Sequence, residues 1–205
     1  MIRIIDYGLG NVQAFLNAFK SLNIKAESAK KVSDLKNASH LILPGVGSFD
    51  QAMTLFDNSG MKKEVEKLVI DNGIPILGVC VGMQILGNRS EEGGMQGLGW
   101  INGDVKKITF KQKKKFPLPH MGWNDVFTKN NSELFFGLEL NSSFYFLHSY
   151  YFECSDRSHE IAEVYYGDDM TCAIKKNNIY GVQFHPEKSH HYGTRLLKNF
   201  SNIKI

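Results

Sequence analysis

The segment from Ile76 to Gln84, with the sequence ILGVCVGMQ, constrains the fold of this chain more than any other. It predicts a buried strand that runs into a Gly-x-Cys-x-Gly turn and then a helix, the geometry of a nucleophile elbow. Gly78 and Gly82 have no Cβ, so the strand and the helix can approach each other closely around Cys80. We therefore expect Cys80 on a strained turn before a helix, where a thiol loses its proton more readily. Taken alone, this segment also fits a buried core cysteine.

Length and composition indicate an ordinary globular protein. The chain has 205 residues, of which 42% are hydrophobic and 22% charged, and we expect residues 1–205 to form a single domain with a sizeable core. The formal charge of +3 is too small to indicate nucleic-acid binding. The basic run from Lys111 to Lys115 is expected to be a solvated hairpin or loop, and docking to an acidic partner is the alternative.

The cysteine spacing argues against structural crosslinks. Cys80, Cys154 and Cys172 are odd in number and form no paired motif, so neither a disulfide framework nor a zinc site is indicated, and we expect no metal and no cofactor. The sequence has no signal-peptide pattern and no apolar run long enough to span a bilayer, so we expect a cytoplasmic protein without a membrane partner.

The first third of the chain alternates strand and helix patterns. Ile2 to Ile5 and Leu41 to Leu43 are apolar strand patterns, each followed by a helix pattern, and the helix before the Cys80 strand is expected to end at Asn72-Gly73. Three such βα units in succession predict a parallel sheet covered on both faces. The early Gly8-Leu9-Gly10 is not a dinucleotide fingerprint, because Gln13 occupies the place of its third glycine.

After the glycine-rich stretch 93–99 the pattern becomes that of strands. Six segments fit, several of them separated by hairpin-length turns: 105–110, 125–127, 144–148, 161–166, 171–175 and 179–184. We expect them to add antiparallel strands to the parallel core. A last helix, with Leu196, Leu197 and Phe200 on one face, should close the chain.

Two more segments predict partners for Cys80. Pro44-Gly45-Val46-Gly47 follows a buried strand, and its glycines let amide groups turn toward a developing negative charge, although a simple tight turn fits equally well. Pro186 restricts His185 to an extended backbone, so the side chains of His185 and Glu187 can point the same way. Glu187 would then orient His185 as the base for the thiol. His-x-Glu alone fits a surface turn; beside a cysteine elbow it indicates a triad.

Seven segments that span nearly the whole chain carry a family resemblance: 6–11 (DYGLGN), 44–47 (PGVG), 78–84 (GVCVGMQ), 90–92 (SEE), 119–124 (PHMGWN), 146–150 (FLHSY) and 181–189 (GVQFHPEKS). On these motifs the chain resembles the class I (triad) glutamine amidotransferases and, within them, the glutaminase subunits of imidazole glycerol phosphate synthase. The cysteine elbow and His-Pro-Glu are typical of the whole group, whereas PHMGWN and HSY are more specific to these subunits. The implied fold is α/β and flavodoxin-like, with a parallel core sheet, added antiparallel strands and flanking helices.

The resemblance implies a role for each matching residue. Cys80 attacks the side-chain amide of glutamine, His185 relays protons, Glu187 orients His185, and the glutamyl thioester is hydrolysed to glutamate. The amides of Val46 and Val81 form the oxyanion hole, and the Val46 peptide is one that a partner subunit turns into place, which would keep the free subunit nearly silent. The implied substrate-binding residues are Gly47, Gln84, Glu92, Ser149 and Tyr150.

The resemblance also implies a partner. This is a (β/α)8-barrel cyclase subunit, which forms a heterodimer with the glutaminase and uses its ammonia to make imidazole glycerol phosphate and aminoimidazole carboxamide ribotide in histidine biosynthesis. Interface positions are matched by Pro119, Met121, Trp123 and Lys188, with a place in the core as the alternative for Trp123.

Three other functions compete with this one. The aromatic pair Tyr151-Phe152 also suits paralogues that supply ammonia to surface-sugar amidotransferases. A non-catalytic subunit that only caps a partner is the alternative from another class. A thiol redox protein is disfavoured, because the chain has no Cys-x-x-C.

Overall fold

The structure is a computed structural model that describes residues 1–110, 116–129 and 132–204. The strands are β1 (Ile2–Ile5), β2 (Ala26–Ala29), β3 (His40–Gly45), β4 (Ile76–Cys80), β5 (Arg89–Ser90), β6 (Gly103–Lys107), β7 (His120–Thr128), β8 (Asn141–His148), β9 (Tyr150–Cys154), β10 (Glu160–Tyr165), β11 (Asp169–Lys176) and β12 (Ile179–Val182). The α-helices are α1 (Val12–Ser21), α2 (Phe49–Asn58), α3 (Lys62–Glu66), α4 (Val81–Gln84) and α5 (His190–Ser201). The basic run 111–115 lies outside the described residues.

A nine-stranded sheet, in the order β2-β1-β3-β4-β12-β11-β10-β7-β8, forms the centre of the molecule. Its first five strands pair in parallel. The apolar patterns predicted this for β1, β3 and β4. Strand β12 was expected among the antiparallel strands, but it pairs in parallel with β4 and antiparallel only with β11. Every residue of β3 and β4 is buried, which is expected of parallel strands whose two faces are both covered. The sequence missed β2, an edge strand of sequence AESA in which only Ala29 is fully buried.

The other four strands of this sheet, β11, β10, β7 and β8, pair antiparallel, as expected. The predicted strand 105–110 is the exception, because β6 does not join the core sheet. It pairs instead with β5 and β9 in a separate three-stranded sheet, where its Val105 lies opposite Phe152. Strand β7 is also longer than the predicted 125–127. Strands β5 and β9 were not predicted.

The helices follow the predicted patterns. Helix α1 buries Phe15 and Phe19, and the side chain of Asn11 caps its first turn. Helix α3 continues as a π-helical turn to Asp71, and Gly73 follows in the left-handed region at φ +69°, which agrees with the predicted end. Helix α5 buries the predicted Leu196, Leu197 and Phe200. In the described ranges, no helix is long and apolar enough to cross a membrane.

Candidate active site

Cys80 is the last residue of β4 and lies on a strained turn. Its backbone has φ +55° and ψ −114°, a left-handed conformation that is costly for a residue with a side chain. The two flanking glycines are required by close contacts, because a Cβ on Gly82 would lie 1.9 Å from the carbonyl oxygen of Leu43, and one on Gly78 would lie 2.5 Å from that of Gly82. The predicted elbow is therefore present.

The helix that follows the elbow is shorter than the sequence suggested. Helix α4 comprises only the four residues Val81–Gln84. Since the effect of a helix dipole comes from aligned peptide groups, one turn contributes little to a neighbouring charge. The side chain of His185 lies near the Cys80 thiol, and their interaction is one cause of the raised pKa of His185.

His185 and Glu187 are held together beside the thiol. His185 has an extended backbone, with φ −102° and ψ 94°, and Pro186 begins a 3-10 turn that ends at Lys188. Nδ1 of His185 lies 2.8 Å from Oε1 of Glu187, and the two side chains are only 3% and 2% exposed. Because Nδ1 is occupied by the carboxylate, Nε2 remains for Cys80.

The environment of His185 favours its protonated form. Burial alone would lower the pKa of His185, but the hydrogen bonds and negative charges of Cys80 and Glu187 outweigh it and raise that pKa to about 10. The protonated imidazole is therefore stabilised by its two neighbours, Cys80 and the carboxylate of Glu187. An imidazole in this environment can accept a proton from a thiol and return it to a leaving group.

The predicted oxyanion segment 44–47 is anchored at its start. The buried Tyr7 hydroxyl donates a hydrogen bond of 2.7 Å to the Pro44 carbonyl oxygen, and burial raises the pKa of Tyr7, so the phenol keeps its proton. Gly10 lies so close that a Cβ on it would be 2.5 Å from Cβ of Pro44. These contacts explain the early DYGLGN motif: it packs against the segment beside the thiol. Gly47, at the other end, has φ +90°.

A cavity of about 280 Å³ brings the predicted site residues together. Its lining contains Cys80 and His185, both predicted oxyanion residues and all five predicted substrate-binding residues: Val46, Gly47, Val81, Gln84, Glu92, Ser149 and Tyr150. Pro119, a predicted interface residue, lines it as well, together with Leu147 and His148, which were not predicted. Residues 147–150 lie where the chain passes from β8, at the edge of the large sheet, to β9 in the small one.

The model of the family described as glutamine amidotransferase class-I matches residues 3–203. The chain belongs to the class-I glutamine amidotransferases.

Curated relatives in that family match over the full length. The chain is 50% identical to a protein of Bdellovibrio bacteriovorus and 50% identical to one of Leptospira borgpetersenii, both named imidazole glycerol phosphate synthase subunit HisH. Each match covers 99% of this chain and 100% of the relative. A Pseudomonas aeruginosa protein named HisH 2 is 42% identical over the same shares.

Solved structures show the same fold. A structure described as a glutamine amidotransferase superposes with a TM-score of 0.75 at 21% identity, covering 97% of this chain and 96% of that one. The structure of PurLQS from Thermotoga maritima superposes with a TM-score of 0.75 at 16% identity, covering 98% and 97%. At these identities the likeness concerns the fold alone.

Two polar residues of this amidotransferase that line the cavity are already engaged within the chain. Nε2 of Gln84 donates to the Tyr150 carbonyl oxygen at 3.3 Å and to Oε1 of Gln183 at 3.0 Å. Oε2 of Glu92 accepts from the backbone N–H of Phe49 at 2.8 Å, at the start of α2. These hydrogen bonds therefore hold the walls of the cavity in place.

The predicted interface residues Met121, Trp123 and Lys188 lie on the surface. Met121 and Trp123 are 61% and 47% exposed, on one face of β7. The exposure of Trp123 rules out the alternative of a core residue; its ring stacks on His190 at 5.0 Å between centroids. The Lys188 ammonium lies 5.8 Å from the ring centre of Tyr145 on the adjacent strand β8.

Sequence reasoning missed three buried polar residues near the site. Gln183 donates from Nε2 to Sγ of Cys80 at 3.6 Å. His120 and His148 form a hydrogen-bonded pair, with Nδ1 of the first 2.9 Å from Nε2 of the second. A polar residue within an apolar strand is a signal that a hydrogen-bond partner exists, but it does not identify that partner. Among the described residues, no group of three His, Cys, Asp or Glu side chains is placed to hold a metal ion.

Proposed function

We propose that this chain is a single-domain glutaminase, the subunit of imidazole glycerol phosphate synthase that releases ammonia from glutamine. The observation that carries the proposal is the strained Cys80 with the buried His185–Glu187 pair beside it, in a cavity lined by the predicted oxyanion and substrate residues. Membership of the class-I glutamine amidotransferases and full-length relatives named HisH support it.

The first half of the reaction forms a thioester. The Cys80 thiol gives its proton to Nε2 of His185, and the thiolate attacks the carbonyl carbon of the glutamine side chain. A C–S bond forms while the C=O π pair moves onto oxygen, giving a tetrahedral oxyanion. His185 then gives the proton to the amide nitrogen, the C–N bond breaks, and ammonia leaves a glutamyl thioester on Cys80. Glu187 holds the imidazole in one orientation throughout.

The second half releases glutamate. His185 removes a proton from a water molecule, and the resulting hydroxide attacks the thioester carbonyl. The tetrahedral intermediate collapses as the C–S bond breaks, and the proton returns from His185 to the sulfur. The net change is the hydrolysis of glutamine to glutamate and ammonia, with the enzyme restored.

The oxyanion in both halves needs two amide donors. The Val81 N–H lies in the first turn of α4, where amides have no partner within the helix. The Val46 N–H is the second proposed donor. Its segment is anchored at Pro44 by Tyr7 and is followed by Ser48, which caps α2. The Val46 peptide lies between these two anchors and is the part that would change orientation. A partner that turns its N–H toward the oxyanion would add one hydrogen-bond donor, which should raise the rate of glutamine hydrolysis by about a hundredfold.

The proposed partner is a (β/α)8-barrel cyclase subunit bound over β7. Met121 and Trp123 form an exposed apolar strip there, and Leu147 on β8 lies opposite Met121. The strip adjoins Pro119, which lines the cavity, so a subunit bound on it would cover the mouth of the cavity. Ammonia would then enter the partner without passing through solvent, and Lys188 would lie at the edge of this interface.

The experiment mixes the purified chain with the cyclase subunit and its nucleotide substrate. We expect glutamine to support both glutamate release and imidazole glycerol phosphate formation. Cys80→Ala should abolish both with glutamine and leave formation from added ammonium salt intact. Glutamine-dependent turnover by Cys80→Ala would refute the triad. Glutamate release without cyclised product, from a cyclase that works on ammonium, would refute the histidine-pathway assignment and favour a surface-sugar partner.

A further inference from the structure

A continuous line of hydrogen bonds leads from strand β7 toward the Cys80 sulfur. It begins at Asn124, whose Nδ2 donates to the carbonyl oxygen of Tyr165 at 3.0 Å and lies 3.2 Å from Nε2 of His120. Nδ1 of His120 lies 2.9 Å from Nε2 of His148, and Nδ1 of His148 lies 2.8 Å from the Tyr150 carbonyl oxygen. Asn124, His120 and His148 therefore connect two backbone carbonyls.

The line continues from Tyr150 to the thiol. Nε2 of Gln84 donates to the same Tyr150 carbonyl oxygen at 3.3 Å and to Oε1 of Gln183 at 3.0 Å. Nε2 of Gln183 donates to Sγ of Cys80 at 3.6 Å. Gln183 is fully buried, and Gln84 is 3% exposed. We call the set Asn124, His120, His148, Gln84 and Gln183 the polar line.

The direction of every bond in the polar line is fixed, because backbone carbonyls only accept. The Tyr165 carbonyl oxygen can only accept, so the Asn124 atom that faces it must be the NH2 nitrogen. The same nitrogen therefore donates to Nε2 of His120. His120 must then carry its proton on Nδ1 and donate it to His148. The other end of the line requires the same directions. The Tyr150 carbonyl accepts the proton that His148 carries on Nδ1, which leaves Nε2 of His148 to accept from His120.

Both histidines are neutral at physiological pH, as this pattern needs. Burial lowers the pKa of His120 to about 4. Burial, together with the repulsion of His120 and His185, lowers the pKa of His148 to about 3, although the hydrogen bond that His148 donates to the Tyr150 carbonyl oxygen opposes this shift. The ring of His120 is also held between those of Phe146 and Tyr166, with centroids 4.7 Å and 4.0 Å away.

The same logic sets the orientation of the Gln183 amide. Nε2 of Gln84 donates both to the Tyr150 carbonyl and to Gln183, so the atom of Gln183 that faces Gln84 is an acceptor, its oxygen. The NH2 group of Gln183 consequently points to Cys80. In the flipped amide, the carbonyl oxygen would face the sulfur and repel a thiolate, and the bond to Gln84 would be lost.

We propose that Gln183 is a positioning residue that holds and stabilises the Cys80 thiolate, and that the polar line keeps its amide nitrogen turned toward the sulfur. The inference deepens the proposed function, since it concerns the same nucleophile. A donor to the charged form of an acid favours ionisation. Gln183 therefore acts on the sulfur from a second direction, while His185 accepts the proton.

The test measures the rate at which iodoacetamide alkylates Cys80 in the purified chain, as a function of pH and without glutamine. Gln183→Met removes the donor and keeps the length of the side chain. The pH at which the alkylation rate is half its maximum should rise by about one unit, and the rate at high pH should stay unchanged. Every variant retains the other titrating groups around the sulfur: His185 with Glu187 behind it, His148, Tyr7 and Glu92.

Two further variants separate the donor from the packing. Gln183→Glu keeps an acceptor for Gln84 and places a carboxylate at the sulfur, so it should move the midpoint upward at least as far. His120→Phe keeps an aromatic ring between Phe146 and Tyr166 but removes the hydrogen bonds of His120, so it breaks the polar line far from the sulfur. It should slow alkylation at pH 7 by about threefold. Ser142→Ala is the matched control, because it removes a partly buried hydrogen bond of β8 outside the line and should change nothing.

Cys80→Ala measures the background, which should be small, because burial raises the pKa of Cys154 to about 12 and that of Cys172 well above its usual value. An unchanged midpoint in both folded Gln183 variants would overturn the role of Gln183. A shift in those variants with none in His120→Phe would overturn the role of the polar line. Glutamine turnover, measured separately, distinguishes these results from a failure of the proposed function, because alkylation requires no substrate.

Discussion

Acid should destabilise this protein through the His120–His148 pair. In the folded state each ring nitrogen that does not carry a proton accepts from an N–H group: Nε2 of His120 from Asn124, and Nε2 of His148 from His120. A proton on either nitrogen would place two donors face to face inside the protein. The folded-state pKa values, about 4 and about 3, lie below the value of about 6.5 for an unfolded histidine. Such groups stabilise the fold above about pH 6.5, and the contribution is lost as the pH falls.

The size of the effect follows from proton linkage. Between pH 7 and pH 5 an unfolded histidine becomes almost fully protonated, whereas His120 and His148 remain mostly neutral in the fold. Each should therefore reduce the free energy of unfolding by about 2 kcal/mol over this interval. The result depends little on the folded pKa values, because both lie well below 5. A combined loss of about 4 kcal/mol is large compared with the free energy of unfolding of a typical protein, which is about 5–15 kcal/mol.

Urea unfolding of the wild type and of His120→Phe at pH 7 and pH 5 tests the argument. The variant has one fewer of these histidines, so its free energy of unfolding should fall by about 2 kcal/mol less than that of the wild type between the two pH values. The carboxylates, His40 and His185 are common to both proteins, so their contributions cancel in this difference. Ser142→Ala should follow the wild type. An equal fall in His120→Phe and in the wild type would refute the neutral pair.

Three other changes have defined outcomes. Glu187→Gln removes one cause of the raised pKa of His185, and we expect a fall of about a hundredfold in the kcat of glutamine hydrolysis with the partner present; an unchanged kcat would exclude Glu187 from the triad. Gly82→Ala forces a Cβ against the Leu43 carbonyl, so urea unfolding should show a loss of about 3 kcal/mol, whereas Gly94→Ala, which meets open space, should cost less than about 1 kcal/mol. Trp123→Ala should weaken binding of the cyclase by about 2 kcal/mol, measured by titration calorimetry, and leave the free energy of unfolding nearly unchanged, because the ring is half exposed.

The sequence predicted the parallel strands β1, β3 and β4, because parallel strands buried on both faces are continuous apolar runs. It failed at β2, where the sequence AESA has no such run and the strand exists only because it pairs with β1 at the sheet edge. It also failed to place β6. The pattern of Val105 and its neighbours predicts a strand but contains nothing about which sheet that strand joins, and β9, its antiparallel partner, comes more than forty residues later.

The geometry of the proposed triad was predictable for a local reason. Cys80 depends on glycines within two residues of it, and Glu187 reaches His185 because both belong to one short extended segment. The backbone itself sets these distances, so a short sequence contains the information. The spatial meeting of the two segments follows from the adjacent parallel strands β4 and β12, whose carboxyl ends lie side by side.

Gln84 shows where such local reasoning ends. The family resemblance implies that it holds the polar groups of glutamine, but not with which atom. In the structure its NH2 group donates to the Tyr150 carbonyl and to Gln183. An amide has two N–H donors, so the atom that Gln84 has left for a ligand is Oε1, which only accepts. An acceptor suits the α-ammonium group of glutamine and opposes its carboxylate. That assignment depends on the directions of bonds between β9, β12 and α4, which only the folded chain determines.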